Sequence, residues 1–206
     1  MIDANCKLLF QGDSITDAGR IREQSDHLGQ GYAMMIAAWF TALYPHMNVT
    51  FLNRGISGNR TCDLVERWDR DCLDLKPDVV SILIGINDTW RAVDQKMLTS
   101  PGQFEKNYRH LLQKTVDKLD ARLIVLEPFL LPNQACYSEM RKDLNPKIEV
   151  ARALAREFST VFVPLDGMFQ AACSRVPAEI WSGDGIHLTP AGNALLAQAW
   201  LEEVLA

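Results

Sequence analysis

The chain has 206 residues, of which 48% are hydrophobic and 23% are charged, and its formal net charge is -5 at pH 7. This length predicts one domain spanning residues 1–206, large enough to bury a core without disulfide bonds. The ordinary composition excludes a disordered, collagen-like or coiled-coil protein. The negative charge argues against a protein that binds nucleic acid through phosphate contacts.

The compartment can also be inferred from the sequence. No apolar run reaches the ~18 residues of a membrane span, and the N-terminal segment lacks the pattern of a signal peptide. The cysteines are odd in number and form no Cys-x-x-Cys pair: Cys6, Cys62, Cys72, Cys136 and Cys173. Free thiols in a reducing compartment fit this pattern. The cysteines and histidines also form no zinc pattern, so we expect a cytoplasmic protein with no metal ion or other cofactor.

Short apolar runs alternate with helical patterns along the chain. Strands are predicted at 7–11, 48–52, 78–84, 123–126 and 161–163. Helices are predicted at 31–44, 61–73, 103–119, 146–158 and 191–205. Alternating strands and helices with right-handed crossovers predict an α/β/α sandwich. Because such sheets bind ligands beyond the carboxyl ends of their strands, the residues that follow each strand are the ones to inspect for function.

Three details of the predicted helices can be checked against a structure. Pro146 is predicted in the first turn of its helix, where proline is tolerated. Thr189 is predicted to cap the last helix, with Pro190 at its first position. The helix at 31–44 is apolar on nearly all sides, which predicts deep burial or contact with another subunit.

Residues with catalytic potential follow the first three strands. Ser14 comes after the first strand, at a turn that can expose its hydroxyl and leave backbone N–H groups free. Gly58 follows the second strand in a loop whose glycines allow close approach to a ligand. Asn87 follows the third strand, where its amide can point into a cleft. Each residue alone also fits a structural role, as a helix cap, a loop glycine or a turn asparagine.

Asp184 and His187 precede the last helix at a spacing that suits catalysis. The carboxylate can reach Nδ1 of the ring across one tight turn, which leaves Nε2 to act as a base. We expect Ser14, His187 and Asp184 to form a catalytic triad. An oxyanion hole is expected from the N–H groups of Ser14 and Gly58 and the amide of Asn87. Together these parts predict acyl transfer.

With these motifs the sequence resembles the SGNH, or GDSL-type, hydrolases. The resemblance rests on Ser14 in Gly-Asp-Ser, Gly58 after the second strand, Asn87 in Gly-Ile-Asn-Asp, and Asp184 with His187 in Asp-x-x-His. It implies a flavodoxin-like three-layer α/β/α sandwich with a five-stranded parallel sheet of order 2-1-3-4-5. It also implies serine esterase chemistry without a metal ion.

A narrower resemblance is to the intracellular acetylxylan esterases of this superfamily, which remove acetyl groups from xylo-oligosaccharides. It rests on the segments 12–20, 29–32, 54–59 and 85–91. It implies a homo-oligomeric acetyl esterase whose substrate is a small acetylated carbohydrate. In those enzymes a tryptophan directly precedes the triad aspartate, whereas Ser182 and Gly183 separate Trp181 from Asp184 here.

Four side chains beside the motifs are candidates to bind the substrate: Trp90, Arg91, Arg60 and Trp181. The tryptophans could offer flat faces to a sugar and the arginines could donate hydrogen bonds to hydroxyls. They fit core packing and solvated ion pairs equally well. Asp13 is expected to accept bonds from loop N–H groups rather than to take part in catalysis.

Three other functions stay open at this level. A lysophospholipase or acyl-CoA thioesterase on the same fold would need an apolar channel for a long chain. A metal-dependent phosphodiesterase would use Asp13, Asn87, Asp88 and His187 as ligands, although such sites usually need several histidines. A non-catalytic binding module would have no need of an ordered triad.

Overall fold

The computed structural model describes residues 2–205. Within this range one parallel sheet has the strand order β2-β1-β3-β4-β5. In chain order its strands are β1 Lys7–Gly12, β2 Thr50–Asn53, β3 Val79–Leu83, β4 Arg122–Leu126 and β5 Val161–Val163. The expected flavodoxin-like topology is therefore confirmed.

Helices cover both faces of the sheet. Within residues 2–205 the α-helices are α1 Ser14–Asp17, α2 Tyr32–Leu43, α3 Thr61–Asp71, α4 Ile86–Asp94, α5 Pro101–Lys118, α6 Tyr137–Glu157, α7 Leu165–Cys173 and α8 Pro190–Leu205. The helices α2 and α8 pack against each other, and so do α3 and α5. None of these helices combines the length and hydropathy of a membrane span. The five cysteines are all free thiols.

The central strands are apolar because both of their faces are buried. Every residue of β3 is buried. Successive side chains point to opposite faces, so Leu8 and Phe10 join one apolar core while Leu9 joins the other. The polar residue in β3, Ser81, accepts a hydrogen bond from Nε1 of Trp200 at 3.0 Å. The sheet therefore forms a rigid layer whose carboxyl ends carry the loops.

The prediction for Pro146 is wrong. Helix α6 begins at Tyr137 and contains Pro146 in its interior. A proline inside a helix costs about 3 kcal/mol, since it removes one backbone bond and crowds the preceding turn. Burial of the apolar stripe that includes Met140, Leu144 and Ile148 offsets this cost. The prediction for the last helix is confirmed, because the Thr189 hydroxyl accepts from the N–H of Gly192 at 3.1 Å.

Helix α2 is buried on one side and apolar on the other. Tyr32 and Ile36 are fully buried, whereas Trp39 is 60% and Leu43 is 55% exposed. Trp39 also borders a cleft of about 650 Å³ that α8 lines on its other side. An apolar outer face of this kind is one that a second copy could cover. The expected homo-oligomer stays a prediction.

Candidate active site

The chain brings Ser14, His187 and Asp184 together beyond the carboxyl end of β1. Oγ of Ser14 lies 2.9 Å from Nε2 of His187. Nδ1 of the same ring lies 2.7 Å from Oδ2 of Asp184. Hydroxyl, imidazole and carboxylate thus form one hydrogen-bonded chain. This is the arrangement in which a histidine can take the proton of a serine hydroxyl.

The turn after β1 leaves the Ser14 hydroxyl available. Asp13 is the residue that caps α1, and its Oδ1 accepts a hydrogen bond from the N–H of Ile15 at 3.0 Å. Ser14 is the first residue of the helix, so its hydroxyl has no capping role. Asp13 thus accepts from a backbone N–H as expected, but that N–H belongs to α1 rather than to a loop, and the alternative of a capping serine is excluded.

A tight turn holds Asp184 against His187. Oδ1 of Asp184 accepts from the N–H of Ile186 at 2.9 Å and from the N–H of His187 at 2.7 Å. Gly185 has a φ of +82°, which glycine adopts without strain. Partial burial opposes the charged carboxylate, but these bonds and the one to the His187 ring lower the pKa of Asp184 below its usual value. The imidazole therefore faces an ionised carboxylate at neutral pH.

The expected oxyanion donors lie on two further segments. Asn87 is in the first turn of α4, and its Nδ2 lies 3.2 Å from the carbonyl of Asn59, to which it donates. Gly58, next in the chain to Asn59, has a φ of +83°. The N–H of Ile56 donates to the carbonyl of Gly12 at 3.1 Å, which ties the same loop to the turn that carries Ser14. The segments of all three expected donors are thus joined directly by hydrogen bonds.

Asp88 links α4 to the start of α3, which follows the loop of Gly58, a role that the sequence did not predict. Its carboxylate accepts from the N–H of Thr61 at 2.9 Å and from the Thr61 hydroxyl at 2.7 Å. Burial raises the pKa of Asp88, although the bonds from Thr61 favour its charged form. Both oxygens are occupied within the protein, which argues against the metal-ligand role considered above. Among residues 2–205 there is also no cluster of three or more His, Cys, Asp or Glu side chains placed to hold a metal ion.

Two of the four predicted substrate residues lie near expected catalytic groups, one beside His187 and one beside Gly58. The ring of Trp90 is 6.1 Å from the ring of His187, centroid to centroid. Nη2 of Arg91 lies 3.3 Å from the position that a Cβ on Gly58 would take, and its Nη1 donates to the carboxylate of Asp94 at 3.1 Å. Both side chains are partly exposed. They are therefore placed where the alcohol part of an ester could contact them.

The other two predicted substrate residues make contacts within the fold. Arg60 donates to the carboxylate of Asp63 at 3.1 and 3.2 Å, at the start of α3. Trp181 packs against the larger apolar core, and its indole nitrogen is buried without a hydrogen-bond partner. Their substrate roles stay predictions.

The triad is open to solvent. The side chains of His187 and Asp184 are 46% and 48% exposed. The 650 Å³ cleft beside α2 and α8 contains none of the triad residues. A bulky alcohol group can therefore approach Ser14 from solvent.

Comparison with known proteins decides the family. Residues 10–195 match the profile of the GDSL-like lipase/acylhydrolase family. The chain belongs to this GDSL family. An acetylxylan esterase of Geobacillus stearothermophilus is 34% identical over 206 residues, which cover 96% of this chain and 93% of the relative. Both resemblances drawn from the motifs are thus confirmed, and this GDSL-family protein is a serine carboxylic-ester hydrolase.

Solved structures agree with this assignment. The crystal structure of Axe2, an acetylxylan esterase from Geobacillus stearothermophilus, matches with a TM-score of 0.92 and 33% identity, covering 98% of this chain and 95% of the other. A structure described as that of a GDSL-like lipase from Parabacteroides merdae matches with a TM-score of 0.95 and 37% identity, covering 98% and 97%. The GDSL-family esterase therefore shares its whole fold with these proteins.

The buried carboxyl of Asp13 makes the stability of this esterase depend on pH. Burial raises the pKa of Asp13 to about 7, against 3.8 for a free side chain, although the N–H of Ile15 and the charge of His187 oppose the rise. The unfolded chain loses this proton near pH 4 and the folded protein keeps it until about pH 7. The free energy of unfolding therefore decreases as the pH rises from about 4 to about 7, and it stays lower above pH 7.

We expect Asp13→Asn to remove this dependence, because asparagine keeps the capping oxygen and carries no charge. Relative to wild type, the variant should gain about 1–3 kcal/mol of unfolding free energy between pH 5 and pH 8. Urea denaturation of both proteins at the two pH values measures this difference. A variant whose stability relative to wild type is the same at both pH values would contradict it.

Proposed function

We propose that this esterase removes acetyl groups from small carbohydrates, such as acetylated xylo-oligosaccharides, with Ser14, His187 and Asp184 as its catalytic triad. The observation that carries the mechanism is the pair of hydrogen bonds of 2.9 and 2.7 Å that joins the three side chains. The substrate class is supported by the 34% identity to an acetylxylan esterase.

Acylation begins when Oγ of Ser14 attacks the carbonyl carbon of the acetyl group. Nε2 of His187 takes the hydroxyl proton, and the carbonyl oxygen becomes an oxyanion. The N–H groups of Ser14 and Gly58 and the Nδ2 group of Asn87 donate to that oxygen. His187 then gives its proton to the sugar oxygen, the ester C–O bond breaks, and an acetyl group is left on Ser14.

Deacylation repeats these steps with water. His187 takes a proton from a water molecule as that molecule attacks the acetyl carbon. The same three donors stabilise the second oxyanion. His187 returns the proton to Oγ of Ser14, and acetate leaves. Throughout, Asp184 accepts the Nδ1 proton and so keeps Nε2 free to act as the base.

The exposed site suits a substrate whose alcohol part is large and polar. Trp90 can offer an apolar ring face to a sugar beside His187. Arg91 can donate to sugar hydroxyls near Gly58. These contacts would hold the sugar while its acetyl group reaches Ser14.

Chain-length preference and sugar deacetylation test this proposal together. We expect kcat/KM to fall from 4-nitrophenyl acetate through the butyrate to the octanoate, and acetate to be released from peracetylated xylobiose. Trp90→Ala should raise KM for the xylobiose ester about tenfold and change nitrophenyl acetate hydrolysis much less, because a stacked ring contributes about 1 kcal/mol or more. Trp39→Ala is the matched control, since Trp39 lies on the outer face of α2.

The alternative substrate would give the opposite pattern. A lysophospholipase or acyl-CoA thioesterase would hydrolyse the octanoate faster than the acetate and release no acetate from the sugar. That result would leave the triad in place and reject the carbohydrate substrate.

A further inference from the structure

A lysine lies in the protein interior against the first turn of α4, the turn that carries Asn87. Lys147 of α6 has no exposed side-chain surface. Its ammonium donates to the carbonyl of Asp88 at 2.9 Å, to the Thr89 hydroxyl at 3.2 Å and to the carboxylate of Asp143, one turn earlier in α6. All three of its N–H donors are thus used. Buried lysines are rare because removing a charge from water is costly, so the position calls for an explanation.

Stability alone does not explain this lysine. Replacing a buried ion pair with apolar side chains of similar volume is often neutral or stabilising. Methionine would fill nearly the same volume as Lys147. What methionine could not do is hold the backbone of Asp88 and the side chain of Thr89 by hydrogen bonds.

The tether acts on the turn that carries Asn87. Asp88 and Thr89 follow Asn87 in the first turn of α4. The Asp88 carboxylate ties the same turn to Thr61 and so to the loop of Gly58. The turn is therefore fixed by α6 through Lys147 and by α3 through Asp88. An amide that stabilises an oxyanion has to be held in place before the reaction, and a shift of about 1 Å can cost 100-fold in rate.

We propose that Lys147 is a positioning residue for the oxyanion hole, holding Asn87 where its amide meets the developing negative charge. The proposal rests on the proposed role of Asn87 as an oxyanion donor. Lys147 itself does not touch the substrate. Replacing Lys147 should therefore lower kcat and leave substrate binding unchanged. The loss of kcat should occur only while Asn87 is present.

A double-mutant cycle tests this coupling with 4-nitrophenyl acetate as the substrate. Asn87→Ala alone should lower kcat by about 10²–10³-fold. Lys147→Met should lower kcat about tenfold in the wild-type background, with KM within twofold. In the Asn87→Ala background the same change should lower kcat less than twofold. Acylation and deacylation use the same donors, so kcat should respond to their displacement whichever of the two steps limits the rate.

The matched control is Arg152→Met on the same helix. Arg152 pairs with the buried carboxylate of Glu127 at 2.6 Å, and neither residue belongs to the site. This variant removes the ion pair between Arg152 and the buried Glu127, and it should leave kcat within twofold of wild type. A comparable loss of kcat in Arg152→Met would show that any damage to α6 slows the enzyme, and would overturn the proposal.

Each remaining outcome decides the question. An unchanged kcat in Lys147→Met, or an equal loss of kcat with and without Asn87, overturns the role of Lys147. If Asn87→Ala is still slow in that case, the role of Asn87 as an oxyanion donor is kept. A normal kcat in Asn87→Ala rejects the oxyanion donor and the role of Lys147 together. If Lys147→Met does not fold, Thr89→Val removes one of the same hydrogen bonds, and the cycle is run with it. A loss of kcat in Thr89→Val that disappears without Asn87 supports the proposal, and any other result overturns it.

Discussion

Replacing Ser14 with alanine is expected to lower kcat for ester hydrolysis by at least about 10⁴-fold and to leave the protein folded. The change removes the hydroxyl that is hydrogen-bonded to Nε2 of His187. The proposed oxyanion donors and the imidazole would still be present, so a slow attack by water would persist. Asp13 supplies the helix cap, so the free energy of unfolding should change by no more than about 0.5 kcal/mol.

Three measurements check this expectation. Initial rates on 4-nitrophenyl acetate give the loss of activity, and thermal unfolding shows whether the fold is kept. An alkyl fluorophosphonate should add one covalent adduct to the wild-type protein and none to Ser14→Ala, as seen by intact mass. Ser138→Ala, at an exposed position in α6, is the control and should behave as wild type. Activity above a tenth of wild type in Ser14→Ala would reject the serine mechanism.

Asp184→Asn is expected to lower kcat by about 10³–10⁴-fold through the tautomer of His187. Oδ1 of Asp184 accepts two backbone N–H groups. The asparagine oxygen has to take that position, which leaves the amide NH₂ where Oδ2 now faces Nδ1. The ring would then carry its proton on Nε2 and could not accept the proton of Ser14. Since Asp184 is about half exposed, water can replace part of the lost contact.

The pH profile separates this cause from a misfolded loop. Several hydrogen bonds hold the pKa of Asp184 below its usual value, so the carboxylate stays charged across the neutral range. Protonation of Asp184 should therefore not limit wild-type activity in this range. Asp184→Asn should stay slow at every pH between 6 and 9 and unfold at a temperature close to that of wild type. A variant within tenfold of wild type would mean that Asp184 does not set the tautomer.

Much of the fold and site could be predicted because the signals were local. β3 is an uninterrupted apolar run, which is the signature of a strand buried on both faces. Asp184 and His187 are three residues apart, so one turn decides their contact. Thr189 caps the helix that begins at the next residue. In each case the signal lies within a short segment of the chain.

Predictions that depended on distant contacts failed or were incomplete. The sequence predicts Pro146 at a helix start, but packing of the apolar stripe of α6 extends the helix through it. Asp88 is a possible metal ligand by its residue type, but Thr61 occupies its carboxylate. Arg60 and Trp181 lie beside the motifs in the sequence, and their contacts in the structure are with Asp63 and the core, so their substrate roles stay predictions.

The sequence by itself determined the family, because the motifs that carry it depend on residue types and short spacings, and the resemblance to that family implied the order of the strands. The same motifs predicted the reactive side chains. Only the tertiary structure decided which of those side chains are free to act. The hydroxyl of Ser14 is free because Asp13 takes the cap. The ammonium of Lys147, 59 residues from Asp88, reaches the turn of Asn87 only when α6 packs against α4. A contact between distant segments depends on packing, which no local pattern records.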